Sequence, residues 1–581
     1  MIALEHLNAC SAGEFKTALA GIFEHSPWVA ERAATQRPFA SRLDLHAAMC
    51  AAVDAASEAE QLALIRAHPE LAGRAAVRKE LTAESTREQA GAGLDQCSRE
   101  EFARLQELNA AYNAKFGFPF ILAVRGHDRA SILAAFAKRV QNDLTDEQRV
   151  ALEQIGRIAF FRLNELIDTP LGAEIMAMHE RLAAFSDEEG ALTCTYLRPA
   201  HRATAALIRD FMLAAGLEVE MDAVANVVGR WRSGVAGAKT LITGSHYDTV
   251  VDGGKYDGRL GILLPTVVAQ NLKQSGTKLP FDLEIVAFCE EEGVRFKSTF
   301  LGSSALAGSF DTTVLDALDG DGISMREALR DAGLDPAQIS AITRDPKKLA
   351  GYVEVHIEQG PVLLDEGRAL GVVTAIAGSV RSIVTITGLA GHAGTVPMGT
   401  RRDAAAAAAE IVLAVEKHCS TAPGLVGTVG KLAVPHGAIN VIPGRCELSI
   451  DIRAGDDRVR DAAVAAVQAE IEAIATRRRV QIDVQRVLTA AGAPCDQKLQ
   501  QQFSGAITRV TGESAPRHLP SGAGHDAMKM ATITPIGMLF VRCGAGGISH
   551  NPAETMTAAD ADVATRVFAD FLVHFQTNNH A

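Results

Sequence analysis

The sequence has no excess of positive charge, no paired cysteines and no long apolar run, and each absence excludes a class of protein. Its formal net charge of -13 at pH 7 argues against a nucleic-acid-binding surface. The nine cysteines form no C-x-x-C pair and no disulfide-like spacing, which is typical of reduced cysteines in the cytosol. No segment approaches the roughly 20 apolar residues that a membrane span needs, and the first residues show no basic signal region. We therefore expect a cytoplasmic protein with no nucleic-acid or membrane partner.

Length and local composition divide the chain into domains. A chain of 581 residues is too long for one ordinary core, and length alone predicts roughly three to four domains. Residues 1–168 are rich in Ala, Leu, Arg and Glu at helical spacing, as in residues 101–112, and show no convincing strand. They predict an all-α domain. Pro170 and Gly172 mark its end, because both residues interrupt regular structure.

Beyond this boundary strands alternate with helices. The segments 241–244 and 282–288 predict strands, and residues 198–215 predict a helix, a βαβ pattern that is typical of an α/β domain with a mostly parallel sheet. From residue 381 the order becomes strand, helix, strands, helix and strand, which predicts an inserted α+β domain. The predicted domains are 1–168 (all-α), 172–380 together with 494–581 (α/β), and 381–493 (inserted α+β).

Between positions 246 and 550 the chain spaces out His, Asp and Glu residues in short phrases. These are GSHYDTV at 244–250, GGKYDG at 253–258, FCEEEG at 288–293, VHIEQG at 355–360 and ISHNPAE at 548–554. Taken singly, a buried His or Asp is more often a hydrogen-bonded core or turn residue than a metal ligand. Two of the phrases follow predicted strands, however, and loops at strand ends are where parallel α/β sheets place their chemistry. Nitrogen and oxygen donors without thiolate suit Zn or Mn, so the set predicts a two-metal hydrolase.

Together with EEGVRF, GHAGTVPM and NVIPG, these phrases make the chain from about residue 172 resemble the M20 metallopeptidase family. Within that family it is similar to the amidohydrolases that act on N-carbamoyl groups. The resemblance implies that His246 and His356 each bind one of two divalent ions, that Asp257 bridges the ions, and that Glu292 and His550 complete the second site.

The same resemblance implies supporting roles. Asp248 would orient a ligand imidazole, and Glu291 would act as the base that takes a proton from the attacking water. The inserted domain would be the lid through which these enzymes usually form homodimers. His392 would reach from the partner subunit's lid to stabilise the oxyanion, although a surface-turn histidine is the alternative.

Four further side chains are candidates for reading the substrate. Arg453 can make a planar two-bond clamp on a carboxylate, and Asn440, Gln359 and His525 can satisfy amide groups. Structural alternatives stay open for two of them: Arg453 could pair with a local Asp, and Gln359 could cap the following turn.

The helical half carries a second set of phrases, AHPELAGR at 67–74, LTAESTREQAGAGL at 81–94, LNAAYNAKFGFPFI at 108–121 and IAFFRL at 158–163. Read alone, they predict a helix end and a solvated charge. Together they resemble 2-oxo-4-hydroxy-4-carboxy-5-ureidoimidazoline (OHCU) decarboxylase, a cofactorless helical enzyme. The resemblance implies the catalytic residues His68, Glu88 and Arg162, with pocket walls from Ser85, Gln89 and the segment 118–120.

The two resemblances imply a bifunctional enzyme of ureide breakdown. The first half would decarboxylate OHCU to (S)-allantoin without a cofactor. The second half would hydrolyse allantoate to ureidoglycine, ammonia and CO2 with two divalent ions, Zn or Mn. Two alternatives stay open: the hydrolase half could act on N-carbamoyl-L-amino acids or β-ureidopropionate, and the helical half could be a non-catalytic oligomerisation module.

Overall fold

The computed structural model describes residues 1–71, 82–92 and 94–576. Residues 72–74, 81 and 93 of the OHCU decarboxylase-like phrases lie outside the described residues. Two large apolar cores are present, one in the N-terminal half and one around the main sheet of the C-terminal half. No helix among the described ranges combines the length and the apolar character needed to cross a membrane.

The N-terminal half is built from helices that start and stop at the residues their sequences favour. Helix α7, for example, starts at a capping box made by Ser98 and Glu101 and ends at Gly117, which has a φ of +74°. The helices are α1 (Leu4–Ala9), α2 (Ala12–Ala18), α3 (Pro27–Ala33), α4 (Arg42–Asp54), α5 (Glu58–Ala67), α6 (Ala83–Gly91), α7 (Arg99–Phe116), α8 (Arg129–Arg139) and α9 (Leu144–Leu166).

This half differs from the prediction in one detail. Strand β1 (Ile2–Ala3) pairs in parallel with strand β2 (Ile167–Asp168), so a two-residue ladder joins the start of the half to its end. Such a short pairing leaves no alternating pattern in the sequence, because only Ile167 of its four residues is fully buried.

A nine-stranded mixed sheet forms the centre of the C-terminal half. Its order is β16-β8-β18-β7-β5-β6-β4-β3, with β17 beside β8. The strands are β3 (Glu218–Met221), β4 (Val227–Trp231), β5 (Thr240–His246), β6 (Asp282–Phe288), β7 (Leu349–Ile357), β8 (Leu370–Ile376), β16 (Ala493–Pro494), β17 (Arg517–Ser521) and β18 (Ile536–Val541).

The prediction of a mostly parallel sheet is wrong. Strands β18, β7, β5 and β6 pair in parallel at the centre, and β17 pairs in parallel with β8. The other four pairings, β6–β4, β4–β3, β8–β18 and β16–β8, are antiparallel. The central strands are buried on both faces, as parallel strands covered by helices are. The outer strands read as ordinary strands in sequence, and their direction depends on connections that local patterns do not specify.

Helices cover both faces of this sheet. They are α10 (Leu171–Ala183), α11 (Pro199–Ala214), α12 (Leu260–Gln274), α13 (Leu301–Leu306), α14 (Met325–Asp331), α15 (Val362–Asp365), α18 (Gln497–Thr511), α19 (Ala527–Met530) and α20 (Ala558–His574). Gly172 lies so close to the backbone of Ala558 in α20 that a Cβ atom there would overlap the carbonyl oxygen. The segment between the halves is therefore packed against the catalytic domain.

A second sheet lies in the segment between β8 and β16. Strands β11 (Val426–Thr428), β14 (Arg445–Ala454), β9 (Gly378–Thr387) and β15 (Gln481–Ala490) pair in that order, and β12 (Leu432–Ala433) also pairs with β14. Helices α16 (Ala404–Cys419) and α17 (Asp457–Arg478) cover one face around a core of their own. Strands β10 (Gly391–His392) and β13 (Val441–Ile442) form a separate pair. We call residues 378–490 the insertion.

Candidate functional sites

The phrases predicted to hold metal meet at one edge of the main sheet. His246 ends β5, Glu291 and Glu292 follow β6, and His356 lies near the end of β7, so three neighbouring parallel strands deliver them to the same edge. Asp257 lies in the loop before α12, and His550 follows β18. Combinations of these residues bring their donor atoms within 4.8 Å of one another.

Asp257 is the centre of this cluster. His246 Nε2 lies 3.6 Å and His356 Nε2 lies 3.2 Å from Asp257 Oδ1, while His550 Nε2 lies 3.2 Å from Asp257 Oδ2 and 3.2 Å from Glu292 Oε1. Oδ1 of Asp257 therefore faces His246 and His356, whereas Oδ2 faces His550.

The protonation pattern of the two buried imidazoles fits a cation. Nδ1 of His246 donates to the backbone oxygen of Asp248 at 3.1 Å, and Nδ1 of His356 donates to that of Ile357 at 2.8 Å. When neutral, each ring therefore presents a lone pair at Nε2, and that of His356 also accepts the backbone N–H of Gly258 at 3.2 Å. Asp257 Oδ1, which both lone pairs face, is buried and has no hydrogen-bond donor in the described part of the chain. Converging lone pairs repel one another unless positive charge lies between them, so the donor set fits a divalent ion.

Electrostatics at the cluster follow the same logic. Burial opposes the ionisation of Asp257, but the surrounding histidines hold the pKa of its carboxyl well below the usual range. Hydrogen bonds to Asp257 and Glu292 raise the pKa of His550 to about 10. Without a metal, protonated histidines would balance the negative charge of these carboxylates. His550 is half exposed, so this side of the cluster is open to solvent.

Gly258 lets the loop of Asp257 approach His246. Its φ is +67°, and a Cβ atom would lie 2.5 Å from atoms of the His246 ring. Only glycine fits both the left-handed backbone and this contact.

Asp248 and Glu291 lie behind and beside the cluster. Asp248 Oδ1 lies 3.6 Å from His246 Nδ1, and its carboxylate accepts the backbone N–H groups of Glu291 and Glu292, each at 3.1 Å. Burial raises the pKa of Glu291 well above its usual range, and the carboxylates of Glu292 and Asp526 add to the effect. In its ionised form Glu291 is therefore a stronger base than an ordinary carboxylate.

Gln359 contacts the central carboxylate and does not cap a turn. Its Nε2 donates to Asp257 Oδ2 at 2.8 Å, while the neighbouring Glu358 accepts the N–H groups of Val362 and Leu363. The alternative prediction of a capping role for Gln359 is therefore wrong.

Ser549 and Glu554 also contact this cluster, although neither was predicted; both stand in the ISHNPAE phrase. Ser549 Oγ contacts Asp257 Oδ2 at 2.8 Å and Glu554 Oε2 at 2.8 Å. Glu554 also accepts the backbone N–H groups of Tyr256 and Asp257. The segment that brings His550 therefore also fixes the loop of Asp257. Their places directly before and four residues after a predicted ligand were the available signal.

Arg453 does not present an open clamp. Its Nε and Nη2 face Asp451 of the same strand, with Nη2 at 2.9 Å from Oδ2, and its Nη1 donates to the carbonyl of Gly522 at 2.9 Å. A local Asp thus occupies the two-bond face in this structure, as in the alternative considered for this residue, and substrate binding by Arg453 stays a prediction.

The other predicted substrate-reading residues lie in different surroundings. His525 is buried, contacts Ser521 Oγ through Nε2 at 2.8 Å, and packs its ring edge-on against His356 at 4.5 Å. His392 and Asn440 are exposed in the insertion, where Asn440 accepts the N–H of Ala393 and His392 Nδ1 accepts that of Gly394. Both of these contacts stay inside the insertion.

The helical half contains a cavity of about 620 Å³ that collects its predicted residues. His68 lies at the end of α5, Ser85, Glu88 and Gln89 lie on α6, and Arg162 lies on α9. Of the predicted wall segment 118–120, Phe120 lines the cavity.

All five N–H groups of Arg162 have partners. Nε and Nη2 donate to the two oxygens of Glu88 at 2.8 and 3.0 Å, Nη1 donates to Glu24 and to the carbonyl of Gly21, and Nη2 also reaches Ser85 Oγ. Glu88 thus occupies the two-bond face with which arginine binds carboxylates. Glu24 was not predicted, because a single buried acid in an apolar segment has no local signature.

His68 is held neutral in the cavity wall. Its Nδ1 donates to the carbonyl of Leu64 at 3.0 Å, so Nε2 carries a lone pair, and Nε2 has no partner among the described residues. Burial lowers the pKa of His68 to about 4. Neutral His68 thus presents the Nε2 lone pair as a hydrogen-bond acceptor, although burial makes it a weaker base than an ordinary histidine.

Comparisons with known proteins agree with both halves. The OHCU decarboxylase family model matches residues 8–164, and the peptidase family M20/M25/M40 model matches residues 242–574. Allantoate deiminase 2 of Glycine max is 40% identical over 438 residues, covering 70% of this chain and 90% of the relative. N-carbamoyl-L-amino acid amidohydrolase of Geobacillus stearothermophilus is 41% identical over 361 residues, covering 62% and 88%.

Solved structures agree with the C-terminal fold. A hydantoinase/carbamoylase family amidase from Burkholderia multivorans has a TM-score of 0.65 at 31% identity, covering 69% of this chain and 97% of that one. Membership of a metallohydrolase family implies divalent metal ions in this half. The chain belongs to peptidase family M20/M25/M40, in its amidohydrolase branch, and carries an OHCU decarboxylase domain fused at its N-terminal side.

Proposed function

We propose that the C-terminal half hydrolyses allantoate to ureidoglycine, ammonia and CO2 with two divalent ions, Zn or Mn. The observation that carries this proposal is the convergence of donors on the two oxygens of Asp257. His246 and His356 would each bind one of the two ions, Asp257 would be shared between the ions, and Glu292 and His550 would complete the second site. Asp248 would keep the His246 ring in place, as partners of metal-binding histidines do.

When bound, divalent ions acidify water and polarise the carbonyl of the scissile group. The side chains of this chain supply the rest of the chemistry. Glu291, buried beside Glu292, would accept a proton from the attacking water and pass it to the leaving nitrogen. Gln359 and His525, which border the cluster, would bind the amide groups of the substrate. Asn440 would bind a further amide group, and Arg453 would bind a substrate carboxylate after exchanging Asp451 for it.

Two observations favour allantoate over other carbamoyl compounds. Several relatives at about 40% identity are named allantoate deiminase. The N-terminal domain belongs to a family named for OHCU, whose decarboxylation product precedes allantoate by one ring opening. N-carbamoyl-L-amino acids are the competing candidate, since the 41% identical relative is named for them.

Ammonia release distinguishes these substrates. Metal-stripped full-length protein would be reconstituted with Zn or Mn and given allantoate, N-carbamoyl-L-amino acids or N-carbamoyl-β-alanine. We expect the highest kcat/KM with allantoate. A preference for either N-carbamoyl compound would contradict the assignment of substrate while leaving the metal site intact.

We further propose that the N-terminal half decarboxylates OHCU to (S)-allantoin without a cofactor. Arg162 would bind the substrate carboxylate or another anionic group after Glu88 gives up its two-bond contact, while Glu24 continues to anchor Nη1. His68 Nε2 and the released Glu88 would then move the proton that replaces CO2. Ser85 and Gln89 would border the substrate.

Decay of freshly generated OHCU, followed by optical activity of the allantoin formed, tests this function. We expect rapid formation of one enantiomer with the full chain and loss of that rate in His68→Ala. Equal rates with and without the protein would indicate that the helical half has only a structural role.

We also propose a cytoplasmic homodimer formed through the insertion, in which the partner subunit's His392 reaches the hydrolase site. The exposure of His392 and its local contacts within this chain support this arrangement. Mixing a His392→Ala chain with a Glu291→Ala chain should restore hydrolysis in hybrid dimers. A monomer in sedimentation, or no restoration, would contradict it.

A further inference from the structure

Helix α9 has two faces with different neighbours. Ile158, Phe161 and Arg162 line the cavity of the helical half. Arg157, at a different angle on the same helix, points to the catalytic domain, as Phe160 and Asn164 do three and seven residues later. One rigid helix therefore connects the cavity to the hydrolase domain.

The outer face of α9 is bound to α11 of the hydrolase domain. Arg157 Nε and Nη2 donate to Asp210 Oδ2 and Oδ1 at 2.9 and 2.7 Å, a two-bond pair whose side chains are only 23% and 14% exposed. The Phe160 ring packs edge-on against Phe211 at 5.9 Å. Removal of Asp210 would leave Arg157 largely desolvated and without this ion pair. Asp210 also lies 3.6 Å from Nη2 of Arg209.

Helix α12 of the hydrolase domain binds the same helix further along. Gln270 Nε2 donates to Asn164 Oδ1 at 3.3 Å, and Gln274 Nε2 donates to the Asn164 carbonyl at 3.1 Å. Two hydrolase helices thus hold α9: α11 contacts Arg157 and Phe160, and α12 contacts Asn164, two residues beyond Arg162.

Leu213 of α11 supports a second wall of the cavity. It is buried within the apolar core of the helical half and not within the core around the main sheet. A Cβ atom on Gly126 would lie 2.8 Å from both Leu213 methyl carbons, so the two residues are in tight contact. Residues 120–126 line the cavity and form neither helix nor strand. Their position consequently depends on such side-chain contacts.

We propose that helix α11 of the hydrolase domain is a working part of the decarboxylase pocket, with Leu213 and Asp210 as positioning residues. Leu213 fixes the wall at residues 120–126, and Asp210 fixes the helix that carries Arg162. This inference rests on the proposed decarboxylation. It gives the fusion a structural reason: the helical half of this chain needs the hydrolase half to shape its own pocket, although the two reactions are not consecutive.

Kinetics of full-length variants test the proposal. We expect Leu213→Ala and Asp210→Asn each to lower kcat/KM for decarboxylation roughly 10-fold, because small displacements of distant supports misplace reacting groups. For Leu213→Ala the change should fall mainly on KM, since the wall contacts the substrate. Allantoate hydrolysis in the same samples should change less than twofold. In the double variant Arg157→Asp/Asp210→Arg the swapped pair should recover most of the loss.

Asp570→Asn is the matched control. Asp570 pairs with Arg509 at a similarly semi-exposed position, but wholly inside the hydrolase domain. It should leave decarboxylation unchanged. Unchanged decarboxylation in both Leu213→Ala and Asp210→Asn would overturn the proposal.

Hydrogen exchange separates this inference from the proposed activity. Amides of residues 118–126 should exchange faster in Leu213→Ala than in the unmodified protein or in Asp570→Asn. If the unmodified protein does not decarboxylate OHCU, the proposed activity fails, and exchange alone decides the coupling: faster exchange supports it and identical exchange overturns it. If Leu213→Ala loses hydrolysis as well, it is misfolded, and Asp210→Asn with its charge-swap rescue carries the test.

Discussion

The two candidate sites of this chain balance charge in opposite ways. At the sheet edge, the ion-pair partners of Asp257 and Glu292 among the described residues are histidines, which are neutral at ordinary pH unless the site supplies a reason to protonate them. In the helical cavity, Arg162 lies between Glu24 and Glu88, so positive charge is built into the chain. The carboxylates of the first site therefore depend on histidine protons or on cations from solution for their counter-charge, whereas Arg162 supplies the counter-charge of the second.

Removal of metal should separate the activities of the two sites most clearly. Chelator-treated protein should lose allantoate hydrolysis completely, because the carboxylates and lone pairs around Asp257 have no other divalent charge. Decarboxylation by the same sample should stay within twofold of its starting value. Both activities would be measured before treatment, after treatment, and after Zn or Mn is restored. Loss of both activities together would show that the cavity also depends on metal.

Glu291→Ala should remove hydrolysis while metal content survives. A general base contributes roughly 10²- to 10⁴-fold to rate, and Glu291 is not one of the donors that face Asp257. Metal analysis of the purified variant checks that the metal content survives. Ammonia release from allantoate checks that hydrolysis is lost. Glu290→Ala, at the adjacent buried acid, is an unsuitable control because Glu290 accepts the backbone N–H of Arg295; exposed Glu188→Ala is suitable. Retained turnover in Glu291→Ala would contradict the base assignment.

Arg162→Lys should lower decarboxylation by roughly 100-fold, because lysine cannot reproduce a two-bond face directed at a carboxylate. Hydrolysis should not change. Arg149→Lys, on an exposed turn of the same helix, is the matched control, since its partners Asp146 and Glu153 are also exposed. A similar loss in both variants would point to damage of the helix and not of the cavity.

Local sequence patterns predicted the contacts of the sheet-edge site more completely than those of the cavity. His246, Asp257 and His356 stand in short Gly-rich or strand-end phrases, and parallel strands bring such phrases to one edge. Arg453 pairs with Asp451 because of its side-chain orientation, which local patterns do not specify. Arg162 binds Glu24, which is distant in sequence. The contact of Leu213 with Gly126 likewise joins two domains whose patterns are each complete on their own.

Asp248→Asn should weaken metal binding by roughly 10- to 100-fold, as loss of a partner behind a metal-binding histidine does. The amide keeps the shape of the side chain but cannot accept at both positions the N–H groups of Glu291 and Glu292. Titration of metal-stripped protein with Zn or Mn gives the affinity, and decarboxylation in the same sample serves as an internal control. Unaltered affinity would show that Asp248 only supports the loop.

The smallest expected effect concerns the acid sensitivity of the helical half. His46 is buried against the carbonyl of Gly156, and burial lowers its pKa to about 4 from an ordinary value of 6.5. Below pH 6.5 the unfolded chain therefore takes up a proton that the folded domain refuses. The stability due to neutral His46 is complete above that pH and is lost as the pH falls towards 4. Between pH 7 and pH 6 the loss is ~0.7 kcal/mol.

His46→Gln, which cannot titrate, should remove this portion of the pH dependence, whereas exposed His6→Gln should not. The free energy of unfolding would be measured in urea at pH 7 and pH 6. A Trp231→Phe background leaves Trp28 as the reporter, because the chain has two tryptophans, one in each half. If all three proteins show the same slope, His46 titrates normally in the folded domain. The helical half would then still differ from the sheet edge because Arg162 is a permanent positive charge. The pKa of a buried histidine would not distinguish the two regions.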